Sequence, residues 1–137
     1  KLRRLLDHAV HAVIGRHGER QGHGDRQLGL ARMVRAAHEY PLIRKYSTQD
    51  GATVQAFGRS LEYRNTNGLV RSAHWDIGLS KTGFINEAGR CLVMRVRMHS
   101  RDVVVVLLDS WGKLSRVGDA NRIKKWLETH APAGSRS

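Results

Sequence analysis

The chain has a single cysteine, Cys91, and only two prolines among its 137 residues. One thiol forms no intrachain disulfide, so a disulfide-stapled scaffold is excluded. That suits a cytosolic protein, and equally an exported bacterial protein that never needed a bridge. Aromatic residues make up 6% of the total, and none precedes Tyr40. Acidic side chains are scarce beside basic ones, 12 against 24. Apolar runs are short, and none approaches the roughly 20 residues of a transmembrane segment. Leu2–Ile14 carries leucines and basic residues but is broken by Asp7, His8 and His11, so it does not read as a signal peptide.

What is in excess is positive charge. A formal net charge of +12 and a pI near 11.0 favour polyanionic partners: nucleic acid, an anionic membrane or an anionic cell-wall polymer. The arginines are spread along the chain, and no block of like charge resembles a nucleic-acid tail. The length fits one domain or part of one, enough to remove roughly two-thirds of the unfolded surface from water.

Apolar spacing divides the chain. Leu2, Leu5, Leu6, Ala9, Val10, Val13 and Ile14 recur at helical intervals, which predicts an amphipathic helix over Lys1–Ile14. Gly15–Gly24 is rich in Gly, His, Arg and Gln and reads as a loop. Leu28, Leu30, Ala31, Val34 and Ala37 predict a helix ending before Pro41, and Pro41–Tyr46 a second, short one. Thr53–Phe57 and Ser60–Arg64 predict a hairpin turning at Gly58, and Asn65-Thr66-Asn67-Gly68 a turn. Asp76–Phe84 reads as a strand.

Leu92, Met94, Val96 and Met98 alternate with Val93, Arg95, Arg97 and His99, the pattern of a strand with one apolar face. Val103–Leu108 is continuously apolar, as in a strand covered on both sides. A last helix is expected to begin between Ser115 and Asp119, with Ile123, Trp126, Leu127 and His130 inward, and Ala131–Ser137 to form a tail. This order predicts an α+β domain, an antiparallel sheet flanked by helices.

The residues with chemistry are Ser80-Lys81-Thr82-Gly83, near the end of the Asp76–Phe84 strand. Lysine offers a fixed positive charge, threonine a hydroxyl donor, and glycine a bare backbone against which a substrate chain can lie. Alternation puts Ile77, Leu79 and Lys81 on one face and Ser80 and Thr82 on the other. Lys81 and Thr82 therefore serve one site only if their strand is a sheet edge, where a bound peptide adds as a further strand. Gly78 and Gly83 both fit such a closely approached edge.

Other motifs carry less. Ser110-Trp111-Gly112-Lys113 has the form Ser-x-x-Lys, but it leaves a strand and Gly112 interrupts a helix, so serine and lysine do not share a helical face. His8 and His11 have metal-like spacing without a supporting third ligand, and no metal or cofactor is expected. Cys91 reads as a buried thiol. Trp75, Trp111 and Trp126 read as core or interface, not as stacking platforms for bases.

Taken together, several blocks resemble the low-molecular-mass penicillin-binding proteins, more narrowly their D-alanyl-D-alanine endopeptidase branch. They are Leu30–Val34 through Tyr40–Ile43, Tyr63–Val70, Gly78–Phe84, Ala88–Met94 and Leu107–Lys113, in the family's order and at about its spacing. The resemblance implies a partial penicillin-binding-protein or β-lactamase-like transpeptidase fold over 28–130. It implies a serine-type peptidase acting through an acyl-enzyme on peptidoglycan peptides and β-lactams, in the periplasm. In that scheme Lys81 adds positive potential beside the nucleophile, and Thr82 holds the substrate carboxylate. Gly83 keeps the strand bare, the backbone N–H of Phe84 forms half of an oxyanion hole, and Arg116 lies near the carboxylate.

There are departures. Neither the family's helical Ser-x-x-Lys nor its Ser-x-Asn occurs in these residues, and Ile85 replaces a common threonine. Residues 1–27 do not look like the family, and the expectation is a truncated or frame-shifted reading there. This copy is thus expected to lack its nucleophile. The alternative is a non-catalytic basic module binding cell-wall polymer or nucleic acid.

Overall fold

The computed structural model describes residues 9–15 and 23–130. Six strands and three helices follow in the order β1 (Ala9–Gly15), α1 (His23–His38), α2 (Pro41–Thr48), β2 (Gly51–Ala56), β3 (Arg59–Arg64), β4 (Asp76–Ile85), β5 (Gly89–Met98), β6 (Arg101–Ser110) and α3 (Gly112–His130). A 3-10 turn, Gly68–Arg71, precedes β4. Four strands make the main sheet in the order β1-β6-β5-β4, while β2 and β3 pair only with each other. The three consecutive strands β4, β5 and β6 run antiparallel, as their short connections require. The α+β arrangement expected from the element order is present.

Two cores lie on opposite faces of this sheet. On one face Leu92, Met94, Val96, Met98, Val103, Val105 and Leu107 pack with Ala120 and Ile123 of α3 and with Leu69 of the 3-10 turn. On the other, Leu79, Val104 and Val106 pack with Ala31 and Val34 of α1. β6 feeds both, so every residue from Val103 to Leu107 is buried. Burying each such side chain is worth about 1.5–3 kcal/mol. The period-two pattern of β5 and the unbroken run of β6 thus mean what they were read to mean.

Other expectations need correcting. The helix over Lys1–Ile14 does not form where that stretch is described. Ala9–Gly15 is β1, running parallel to β6 with Ala9 beside Asp102 and Gly15 beside Leu108. Val10, Val13 and Ile14 are β-branched and suit a strand, and pairing with β6 overrides the helical spacing. Of the loop expected over Gly15–Gly24, Gly15 closes β1 and His23 opens α1, while residues 16–22 lie outside the described residues. So do Lys1–His8 and the tail Ala131–Ser137.

The last helix starts at Gly112, ahead of Ser115. Gly112 takes a left-handed backbone (φ +71°) at the turn out of β6, where glycine carries no penalty, and so opens the helix. The inner stripe of α3 is Val117, Ala120, Ile123 and Leu127. Trp126 and His130 face outward instead and stack on one another, ring centroids 4.7 Å apart.

Candidate active site

Among the described residues β4 is the outer strand of the sheet, with β5 on one side and no strand on the other. Its register is regular from Leu79 to Ile85, pairing Lys81 with Val93, Thr82 with Leu92 and Phe84 with Arg90. An irregularity between Ile77 and Leu79 changes which face each residue presents. Ile77 accordingly packs on the α3 side and Leu79 on the α1 side, so Ile77 does not share the face of Lys81. Gly78, at the irregularity, is explained by packing rather than by an approaching ligand. A Cβ there would stand 2.8 Å from Nε2 of His38.

Lys81 is exposed, and its ammonium donates to the carbonyl oxygen of Thr82, which lays the charge along the strand. Ser80 and Thr82 point to the α3 side. Gly83 is different from Gly78: no atom lies within 4 Å of where its Cβ would stand. Among the described residues, its own chain neighbours apart, nothing would crowd a side chain at that position.

A polar corner braces this strand from the α3 side. Asn65 donates from Nδ2 to the carbonyl oxygens of Ser47 (3.1 Å) and Gln49 (2.9 Å), tying the end of β3 to the end of α2. Thr66 places its hydroxyl 2.5 Å from that of Thr82. Asn67 is buried: its Nδ2 donates to Ser80 Oγ at 2.8 Å, and its Oδ1 accepts from the N–H of Leu69 at 3.2 Å, capping the 3-10 turn. The hydroxyl of Ser47 accepts from the backbone N–H of Ser80 at 3.4 Å. In the sequence Asn65, Thr66 and Asn67 read as turn formers by composition and fall in the family-like block Tyr63–Val70, with no site role assigned to any of them. Their part in holding Ser80 and Thr82 depends on a contact between segments distant in sequence.

Further along the same face lies a cationic group. Arg116 of α3 donates from Nη1 to the carbonyl oxygen of Cys91 at 2.9 Å, and Cys91 pairs with Gly83 across the sheet. Burial, and then the neighbouring charge of Arg90, draw Arg116 below the ordinary guanidinium range, while Cys91 pulls the other way. Arg90 holds its guanidinium 4.9 Å from the ring centre of Phe84, the residue opposite it in register. Phe84 and Ile85 are both more than half exposed, at 59% and 58%. Thr82, Phe84, Arg90 and Arg116 therefore gather on the α3 side at the end of the free edge, while Lys81 leaves from the opposite face.

The remaining candidates separate from this group. Ser110 is the last residue of β6 and Gly112 the first of α3, so Ser110 and Lys113 do not share a helical face. Cys91 is half-buried rather than buried, its thiol donating to the carbonyl oxygen of Ala88 at 3.3 Å. Trp75 is partly buried against the core and donates to Asn121 at 3.2 Å, but Trp111 and Trp126 are exposed and not core. The His8–His11 pair rests on His8, outside the described residues. Among the described residues no group of three His, Cys, Asp or Glu is placed to hold a metal ion, and no helix is long and apolar enough to cross a membrane.

Comparison with known proteins gives this arrangement a context. The family model for D-alanyl-D-alanine carboxypeptidase matches residues 19–112. That match begins inside the stretch 1–27 and ends as β6 passes into α3. A D-alanyl-D-alanine endopeptidase of Pseudomonas aeruginosa is 46% identical over 103 residues, and one of Escherichia coli 43% identical over 102. Each alignment takes in 73% of this chain and 33% of the relative, so the chain spans about a third of the length of the curated relatives it matches. In three dimensions the crystal structure of a Streptomyces DD-transpeptidase superposes with a TM-score of 0.64 at 24% identity, over 73% of this chain and 40% of that one. This last likeness is one of fold, and it agrees with the partial transpeptidase fold expected from the sequence. With two-thirds of its residues inside the family model and two relatives above 40% identity, the chain belongs to the D-alanyl-D-alanine carboxypeptidase family.

Proposed function

We propose that the free edge of β4 is the substrate wall of a serine-type D-Ala-D-Ala peptidase, an endopeptidase or carboxypeptidase of peptidoglycan working in the periplasm. A peptide ending in acyl-D-alanyl-D-alanine lies along β4 as an added strand. Lys81 supplies positive potential beside the scissile carbonyl, and Thr82 and Arg116 hold the terminal carboxylate. Gly83 leaves the backbone open, and the N–H of Phe84 donates to the developing oxyanion. Losing one such donor typically costs about 10²–10³ in rate. β-Lactams present the same acyl and carboxylate groups and compete for the same edge.

The observation that carries this reading is the space in front of Gly83. A glycine that the fold does not need, between an edge-strand hydroxyl and an exposed aromatic, is explained by a backbone arriving from outside. The reaction also needs an attacking serine. The one Ser-x-x-Lys in these residues, at Ser110, straddles a strand end, so its serine and lysine do not stand one turn apart on a helix as that motif requires. In this reading the chain binds and orients, and acylation requires a nucleophile it does not carry.

The test is equilibrium binding of N-acetyl-D-alanyl-D-alanine to the 137-residue chain, with N-acetyl-L-alanyl-L-alanine as control. The D-peptide should bind and the L-peptide should not, and T82A should weaken binding about tenfold, the loss of a hydrogen bond to a charged group. Equal binding of both peptides, or no effect of T82A, overturns the reading.

A further inference from the structure

We propose that the tip of the β2–β3 ribbon docks on an anionic lipid surface. Phe57 enters the boundary between headgroups and acyl chains, and Arg59 takes a lipid phosphate. The inference does not depend on what β4 binds, and it gives the protein a second, separate surface of contact.

Two costs meet at one residue. β2 and β3 join through Phe57 and Gly58, both left-handed (φ +52° and +70°), as the two central residues of a type I′ turn must be. Asn, Asp or Gly suits the first of those places, because a bulky side chain there crowds its own backbone. Here the residue is phenylalanine, and its ring is fully exposed to water. A ring that strains the turn and packs on nothing in the chain is explained by a surface outside it. The ribbon is held at its base instead. Asn65 donates its N–H to the carbonyl oxygen of Asp50 at 2.7 Å and its side-chain amide to Ser47 and Gln49. From Gly51 to Arg64 every residue but Ala56 is exposed. A two-stranded ribbon standing alone in water is marginally stable, so an apolar face on it calls for cover.

Register and charge say what covers it. Ala52–Tyr63, Val54–Leu61 and Ala56–Arg59 share one face of the ribbon, and Thr53–Glu62 and Gln55–Ser60 the other. The apolar side chains and the arginine nearest the tip thus stand together, while the single acid of residues 51–64, Glu62, is turned away. The Val54–Leu61 pair lies about 6.6 Å behind the Ala56–Arg59 pair, and Ala52–Tyr63 about 13 Å behind it. Interfacial segments sink about 5–10 Å past the headgroups. That depth takes in Phe57, Val54 and Leu61 and leaves Tyr63 at headgroup level, where a ring with a polar end is suited. The stem of Arg59 lies along the apolar face, and its guanidinium forks onto phosphate. A formal charge of +12 draws the chain to anionic lipid and opposes a second copy of itself on the same face.

The experiment is co-sedimentation of the 137-residue chain with vesicles of phosphatidylcholine, with and without about 30% phosphatidylglycerol as the anionic lipid. The chain should sediment with the anionic vesicles and stay behind with the neutral ones. F57N removes the ring and suits the left-handed turn. It should bind about tenfold more weakly, the scale of one buried aromatic side chain, and melt no lower than the unmodified chain. R59Q should weaken binding about threefold. A basic chain also clings to anionic vesicles by charge alone, so the decisive comparison is made in about 0.5 M salt, where screening acts within about 4 Å. There the unmodified chain should keep an advantage over F57N. Equal binding of the two, or no binding to anionic vesicles, overturns the inference. So does a lower melting temperature of F57N, which would make the ring structural, or a dimer in solution that F57N dissolves, which would give the ring to a second copy. None of these outcomes bears on the reading of β4, whose test is peptide binding.

Discussion

The hydroxyl of Thr82 lies 2.5 Å from the hydroxyl of Thr66. One of the two donates to the other, so the free donor of the pair is directed by a residue on the loop after β3. Thr66 is thus a positioning residue for the carboxylate site. T66V should weaken binding of N-acetyl-D-alanyl-D-alanine about threefold, the scale of one ordinary hydrogen bond. The double variant T66V/T82A should lose no more than T82A alone, measured by calorimetry. Additive losses would show that the two hydroxyls act independently.

Asn67 is 3% exposed and Ser80 likewise 3%. Their hydrogen bond, and the cap Asn67 gives Leu69, leave no buried side-chain polar atom unpaired in this region. N67A should strand the Ser80 hydroxyl and the Leu69 N–H together and cost about 2–3 kcal/mol in urea unfolding. N67A/S80A should recover part of that loss, because the orphaned hydroxyl goes with it. If the double variant is less stable than N67A, the Ser80 hydroxyl has another partner.

His38 gives the stability a pH dependence. Its ring sits against Arg95, whose Nη1 lies 2.6 Å from Nδ1 and 2.5 Å from Nε2, and Arg95 in turn holds Asp102 at 2.6 Å. Burial first, then the charges of Arg95 and Arg44, lower the His38 pKa, with Glu39 and Asp102 opposing. The unfolded chain therefore takes up this proton more readily than the folded one. The contribution is complete above the ordinary histidine value near 6.5 and is lost as pH falls below it toward the lower folded value. Melting temperature should drop between pH 7.5 and 5.5, and the drop should be smaller in H38Q. An unchanged slope in H38Q would place the dependence elsewhere.

Fluorescent penicillin should leave no covalent label on the 137-residue chain. Ser110 lacks a helical lysine partner, so S110A should behave identically on a denaturing gel. A labelled band that S110A abolishes would make Ser110 a nucleophile and reverse its assignment.

The parts of the fold visible in the amino-acid order are those whose environment is written locally. Leu92, Met94, Val96 and Met98 alternate because one face of β5 meets a core, and Val103–Leu107 are continuous because β6 meets two. The same logic failed at Ala9–Gly15, where Ala9, Val10, Val13 and Ile14 at helical spacing were outweighed by pairing with β6, a partner some ninety residues away. It failed again at Ile77, since one irregularity in a strand exchanges the two faces and composition does not announce it. Lys81, Thr82 and Gly83 drew notice because their chemistry is compact in sequence. Thr66 and Arg90 did not, since each matters only through a residue it meets in three dimensions.

The position of β6 has a consequence for how the chain comes apart. Val104 and Val106 belong to the layer under α1, while Val103, Val105 and Leu107 belong to the layer under α3. Neighbouring links of one backbone are thus shared out between two helices on opposite sides. Peeling away either helix wets a strand on which the other still depends, so melting of the sheet and of both helical layers is one cooperative event, governed from its central strand.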